Sequence, residues 1–317
     1  MKLSQLKTLK IYHVLRALRP RQWLKNLSVY AAPLFWGNLF EIDVFKMTTK
    51  AALIFTMLSA GTYLINDVLD APKDRLHPVK KNRPVAGGFI SDKFAMILAF
   101  CLVTGAIILA RAKVGRFFAL TIIVYFAIQI LYSLVIRNVI ILDALVVASG
   151  FVIRVFAGAF ATSIPISSWL ILSVIGLSLL LAFGKRRSER TLLSAKHVAL
   201  ETRDTLKHYP DNLLDSMISL SATFAVVSYS LFAFQTQTTT TDDLAGILPS
   251  TLNTPKWMML TIPVVIYGVA RYLYVVYEKK EGESPERVLL SDVPLLNTLI
   301  VWVSTIIIIV YGLQSTN

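Results

Sequence analysis

The sequence predicts an all-α integral membrane protein of nine transmembrane helices, folded as one domain over residues 1–317. Three observations predict it. Hydrophobic residues make up 55% of the chain and charged residues only 16%, where a soluble chain carries about a quarter. The apolar residues gather in runs close to the ~20 that a spanning helix needs. The basic residues gather in alternate loops. Mean hydropathy is +0.63, and a soluble core of that composition would leave large apolar patches in water. Disorder and a secreted disulfide scaffold are excluded as well. The single cysteine, Cys101, sits inside an apolar run and has no partner for an intramolecular disulfide.

Residues 1–26 lack the continuous apolar stretch of a cleavable signal peptide. IYHVLRALRPRQWL mixes apolar and basic residues, which suits a helix in the cytoplasmic interface with Trp23 at headgroup depth, or a simple basic tail. The nine spans are expected at 27–45, 47–66, 94–110, 117–136, 139–160, 167–184, 215–235, 257–277 and 293–313. Pro33, Gly37 and Asn38 interrupt the first. Twenty-four Lys and Arg fall in the N-terminal tail and in the loops 66–93, 137–138, 185–214 and 278–292, against 6 on the other side. The positive-inside rule then puts the N-terminus in the cytoplasm and the C-terminus outside, in agreement with an odd number of spans. The same rule accounts for the net charge of +13 without a nucleic-acid partner. TTTTDD at 238–243 is a polar outer loop without evident chemistry. The inner loops carry the functional groups, so chemistry is expected at the cytoplasmic face.

The second span runs into Asn66-Asp67-Val68-Leu69-Asp70-Ala71-Pro72-Lys73-Asp74. On a helix, Asp67, Asp70 and Asp74 fall within about 60° of one face. Three carboxylates so placed at a membrane boundary repel one another unless a cation neutralises them. A hard divalent ion suits them, and Mg²⁺ in particular completes its shell with substrate phosphate. The alternative is a solvated helix end. Pro72 disfavours helix at Ala71 and predicts a kink or opened turn before Asp74. Asn66 offers an amide to a ligand or phosphate. Behind the acids come Arg75, Lys80, Lys81 and Arg83, between Pro78 and Pro84. Acids for a metal and bases for phosphate oxygens together suit a Mg²⁺–pyrophosphate group.

NDVLDAPKD, followed by DRLHPVKKNRPVAGG, resembles the N-D-x-x-D-x-x-x-D motif of the UbiA-type prenyltransferase superfamily. The resemblance implies a nine-helix intramembrane enzyme that binds a pyrophosphate substrate through Mg²⁺ in a cytoplasm-facing cavity. LRPRQWLKN at 18–26, LYSLVIRNVIILDALVVASGFVIRVFAG at 131–158, LAFGKRRSE at 181–189 and RYLYVVYEKKEGESPERVLLSDVPL at 271–295 resemble the decaprenyl-phosphate phosphoribosyltransferase branch. That branch implies transfer of 5-phosphoribose from phosphoribosyl diphosphate to a polyprenyl phosphate, making precursors of lipid-linked arabinose for the cell envelope at the plasma membrane. Where ordinary prenyltransferases carry a second acidic motif, this chain has Lys185-Arg186-Arg187-Ser188-Glu189. A basic wall suits a donor that bears a second phosphate. Asp211 and Asp215 are read as coincidence or secondary support.

The expected metal ligands and catalytic residues are therefore Asp67, Asp70 and Asp74. The expected substrate contacts are Asn66, Lys80, Arg83, Lys185, Arg186 and Glu189, with Arg21 and Lys25 gripping the acceptor phosphate. Asp143 and Arg154 lie inside a span, where charge is costly. Arg154 is expected to face a phosphate or a carboxylate. Asp143 is expected to orient Arg137 or Tyr132, both counted with the substrate contacts, although Tyr132 also suits an interfacial anchor. Two rivals stand: a prenyl transferase acting on an aromatic acceptor, and a transporter of anionic lipids. The sequence leaves the oligomeric state open.

Overall fold

The computed structural model describes residues 11–76, 80–195, 209–236, 256–279 and 284–312. The described residues are helical throughout, apart from turns and short connections. Among the described residues, eight helices are long and apolar enough to cross a membrane. They are α1 (Ile42–Asp74), α2 (Asp92–Lys113), α3 (Arg116–Leu134) and α4 (Leu142–Thr162), then α5 (Ser168–Ala195) and α6 (Asp211–Gln235), and finally α7 (Trp257–Lys279) and α8 (Val293–Gly312). Loop 238–243, Pro78 and the first ten residues lie outside the described residues, as do His77, His197 and His208.

Eight of the expected spans fall on these helices, and the first, 27–45, takes a different form. Pro20–Tyr30 winds as a 3₁₀ helix, Ala31–Trp36 forms one short α-helix, and Gly37 turns the chain at φ 92°. The prolines and Gly37 deny this stretch a continuous α-helix. It still runs the length of the bundle. At one end Lys25 lies 3.6 Å from Glu286, just before α8. At the other, the Leu39 amide and the Pro33 and Leu34 carbonyls bond the hydroxyl of Tyr311, near the end of α8. Gly158 of α4 admits it closely: a Cβ there would stand 1.9 Å from the Val29 carbonyl oxygen. Small residues permit such approaches where no hydrophobic force distinguishes helix from lipid. Gly176 does the same for α5 against Ala225 of α6.

α1 is the longest element, with 33 residues, or about 50 Å at the helical rise. A hydrocarbon layer is about 30 Å thick, so its last turns project past the apolar zone and carry Asp67, Asp70 and Asp74. The break expected at Pro72 does not occur. The helix continues to Asp74, with Pro72 on its exposed side.

α4 joins two cores. Ala157 and Ala161 pack with Phe55, Leu58, Ile122 and Tyr125 of α1 and α3. Ala144 packs with Leu180, Phe183, Leu214, Ile218 and Tyr272 of α5, α6 and α7. The ends of α1, α3 and α5 meet the starts of α4, α6 and α8 at one end of the bundle, where the polar groups described next converge.

Candidate active site

Each carboxylate at the end of α1 meets an arginine from elsewhere in the chain. Asp67 is buried and accepts from Arg19. Arg19 precedes Pro20 and stands at φ 53°, a left-handed backbone uncommon for a residue with a Cβ. Its guanidinium also lies over the ring of Tyr63, 5.2 Å from the centroid. Arg83, from the loop after α1, donates through one nitrogen to Asp74 Oδ2 at 2.6 Å and to Asp67 Oδ1 at 3.4 Å. Asp70 accepts from Arg137, which lies in the short Ile136–Asn138 turn between α3 and α4. Lys80 lies within electrostatic reach of Asp74. Ser133 donates to the side-chain oxygen of Asn66 at 2.6 Å, leaving the amide NH₂ to donate elsewhere. Among the described residues no three acidic, His or Cys side chains converge on one point. The three aspartates thus share an end of the bundle, but a guanidinium lies between Asp67 and Asp74.

A second group lies beside the first. Lys25 and Gln22 of the 3₁₀ segment both reach Glu286. Burial pulls the Lys25 ammonium below the usual lysine range, while Glu286 raises it; the nearby Arg154 and Arg19 lower it. Arg21 is exposed.

Arg154, expected to face a phosphate or a carboxylate, is bonded by neutral groups of the chain. Its Nε donates to Asn26 Oδ1 at 2.8 Å, Nη1 to the Gly150 carbonyl at 2.6 Å and Nη2 to Tyr125 Oη at 2.9 Å. Phe55, Tyr125 and Phe151 present ring faces at 5.0, 4.9 and 5.8 Å. A guanidinium is weakly hydrated and stacks on rings, so neutral acceptors and π-faces hold it inside the bundle. It pins the 3₁₀ segment to α4.

Asp143 meets Tyr132 through Arg186, which bonds both. Its Oδ2 accepts from Arg186 Nε at 2.6 Å and its Oδ1 from the Tyr209 hydroxyl at 2.6 Å. Burial, then this bond, pushes the Tyr209 phenol above its usual range. Arg186 continues to Glu189 at 2.8 Å and to Tyr132 Oη at 3.2 Å. Asp143 and Arg186 are both nearly inaccessible, at 1% and 3% side-chain exposure. The basic stretch on α5 is therefore not one wall. Arg187 bonds Asp215 at 2.8 Å and Arg190 pairs with Asp211 at 2.8 Å, so those two acids serve as counter-charges on α6. Lys185 is more exposed and lies 3.8 Å from Glu189.

The sequence reading missed Arg19, Asn26, Tyr63, Tyr209 and Glu286. Arg19 carried one signal, a basic residue directly before a proline. The others had none, because their roles arise from contacts between distant elements.

The comparisons with known proteins agree with this architecture. Residues 27–187 match the model of the UbiA prenyltransferase family. A protein of Mycolicibacterium smegmatis named decaprenyl-phosphate phosphoribosyltransferase is 33% identical, over 92% of this chain and 91% of its own. One of the same name from Corynebacterium glutamicum is also 33% identical, over 94% and 86%. Among solved structures, a UbiA homologue from Archaeoglobus fulgidus bound to GPP and Mg²⁺ superimposes with a TM-score of 0.66, at 17% identity over 94% of this chain and 99% of that one. The motif at the end of the first long helix, the all-helical bundle and these matches lead to one conclusion: the chain belongs to the UbiA prenyltransferase family.

Proposed function

We propose that the chain transfers 5-phosphoribose from phosphoribosyl diphosphate to a polyprenyl phosphate of decaprenyl type, releasing pyrophosphate with the help of Mg²⁺. The observation that carries this reading is the ring of ion pairs at the end of α1: Asp67, Asp70 and Asp74 against Arg19, Arg83 and Arg137. A metal-bound diphosphate brings both signs of charge. It can replace those pairs, with the carboxylates turning to the cation and the arginines to phosphate oxygens. The relatives' name points to the same donor and acceptor.

The donor set fits Mg²⁺: three carboxylates, all hard oxygen ligands, with Arg83 now in the space between two of them. Asp67, Asp70 and Asp74 would hold the ion, and when bound it neutralises charge on the departing pyrophosphate. The bond from the anomeric carbon to pyrophosphate breaks, and a bond to an acceptor phosphate oxygen forms. That oxygen is already anionic near neutral pH, so no proton has to be removed. Lys80 and Arg83 hold the diphosphate, Asn66 donates its amide, Lys25 meets the acceptor phosphate, and Lys185 takes the 5-phosphate. Arg186 works through Tyr132 and Glu189 as a positioning residue. These groups contribute positioning and charge.

In this reading the polar end faces the cytoplasm and residues 1–26 lie in that interface. The broken stretch 27–45 counts as the ninth crossing, and the C-terminus is outside. The single catalytic domain sits in the plasma membrane and supplies lipid-linked arabinose precursors. The deciding assay gives purified protein Mg²⁺, polyprenyl phosphate and each donor in turn. Pyrophosphate release from phosphoribosyl diphosphate, dependent on the lipid, is expected. Prenyl transfer to an aromatic acid without turnover of the sugar donor would overturn the reading.

A further inference from the structure

Buried hydroxyls in this bundle are bonded almost everywhere. On α5, Ser173 and Ser178 bond the carbonyls one turn back, at 2.8 and 2.5 Å. The hydroxyls of Tyr125, Tyr209 and Tyr229 all have partners. Two buried hydroxyls are exceptions among the described residues, Ser188 Oγ and Tyr272 Oη, and Glu286 Oε2 has no hydrogen bond but the Lys25 ammonium 3.6 Å away. Leaving such atoms unbonded costs about 1–3 kcal/mol each.

A chain of links connects the three. A Cβ on Gly184 would stand 2.6 Å from Tyr272 Oη, so that hydroxyl lies on the bare face of α5. Ser188 is one turn further along the same face, about 6 Å on. Glu286 lies within electrostatic reach of Tyr272 and also of Tyr63. Tyr63 lies under Arg19, the partner of Asp67. Glu286 therefore links these oxygens to the site at the end of α1. Two hydroxyls, which can donate or accept, and a carboxylate oxygen, which only accepts, suit a ligand rich in O–H groups. Lys25, 3.6 Å from that same carboxylate oxygen, brings the positive charge that meets the acceptor phosphate next to them. Hydroxyls beside the acceptor phosphate are those of the sugar it attacks.

We propose that Ser188, Tyr272 and Glu286 form the subsite for the ribose hydroxyls of the donor, with Glu286 Oε2 accepting from the sugar. This rests on the phosphoribosyl-transfer reading and names the contacts that separate a sugar diphosphate from a prenyl diphosphate. A site built to bond a hydroxyl rejects an analogue that lacks it.

The test compares phosphoribosyl diphosphate with its 2-deoxy and 3-deoxy analogues in wild type, Tyr272→Phe, Ser188→Ala and Glu286→Gln, by kcat and KM and by direct binding of inorganic pyrophosphate. Wild type should prefer the full sugar over at least one analogue by about tenfold or more, the value of one such bond. Each variant should lose most of that preference through a higher KM for the full sugar. Unchanged pyrophosphate affinity shows that the variants remain folded. Variants that keep the wild-type preference overturn the subsite and leave the transfer reading intact. A wild type that turns over no phosphoribosyl diphosphate overturns the transfer reading itself.

Discussion

The end of α1 and the end of α5 read alike in sequence, as clusters of charge at a membrane boundary, yet the fold treats them differently. At the end of α1 the arginines are partly open to solvent, with Arg19, Arg83 and Arg137 showing 26%, 29% and 24% side-chain exposure. At α5, Arg186 is closed in by Asp143, Glu189 and Tyr132, and Asp143 by Tyr209. A guanidinium at the rim can move to a phosphate. A buried one cannot leave without stranding its carboxylate. In the proposed reading the first cluster exchanges partners, while the second holds helices together.

Breaking the second cluster gives the largest expected effect. Arg186→Ala strands Asp143 and should cost about 3–5 kcal/mol, the usual penalty for half a buried pair. Thermal unfolding in detergent would register it. An unfolding midpoint equal to that of wild type would make Arg186 a rim residue like the others. Asp67→Asn tests the opposite case: turnover should fall at least about a hundredfold, as for other losses of charge stabilisation. The unfolding midpoint should hardly move, since the arginine partners stay solvated. Lys185→Ala should raise KM for phosphoribosyl diphosphate about tenfold, the value of one charge-assisted phosphate contact, with kcat nearly unchanged.

The smallest effect sharpens the contrast through pH. Asp292 caps α8 by accepting from the Leu295 amide at 3.1 Å, and it takes Arg271 through both oxygens at 3.0 Å and Lys279 at 2.7 Å. The bonds from Arg271 and then Lys279 hold its carboxyl well below the usual carboxylate range. Because the folded state binds this proton less readily than the unfolded chain, its stabilisation is complete above about pH 3.9, the ordinary Asp value. It declines as pH falls from there toward the lower folded value. Wild type should therefore be more stable than Asp292→Asn at neutral pH, with the gap shrinking in acid. A gap that stays constant down to pH 3 would contradict this role.

Much of this was legible in the sequence, for identifiable reasons. Spans are local, so apolar runs located eight of them. The aspartates were found because helical spacing puts them on one face. Stretch 27–45 was found as a candidate with Pro33, Gly37 and Asn38 interrupting it, but its seat in the bundle rests on Val29 meeting Gly158, a contact 129 residues away in the chain. The arginines opposing the aspartates were only partly legible. Arg83 follows nine residues after Asp74, whereas Arg19 and Arg137 arrive through tertiary packing. The basic run 185–187 was partly legible for the same reason. Its charge was evident, but the counter-charges at Asp143 and Asp215 belong to other helices.

The most direct test of the exchangeable cluster uses Asp70, the most exposed of the three aspartates. Lipid-dependent pyrophosphate release from phosphoribosyl diphosphate would be measured against added Mg²⁺ in wild type and in Asp70→Asn, with unfolding curves for both. The expected result is release in wild type that stops in excess chelator, a loss of at least about a hundredfold in Asp70→Asn, and coincident unfolding curves. Full release in chelator, or wild-type rates in Asp70→Asn, would contradict the claim that this end of α1 trades its arginines for a metal-bound diphosphate.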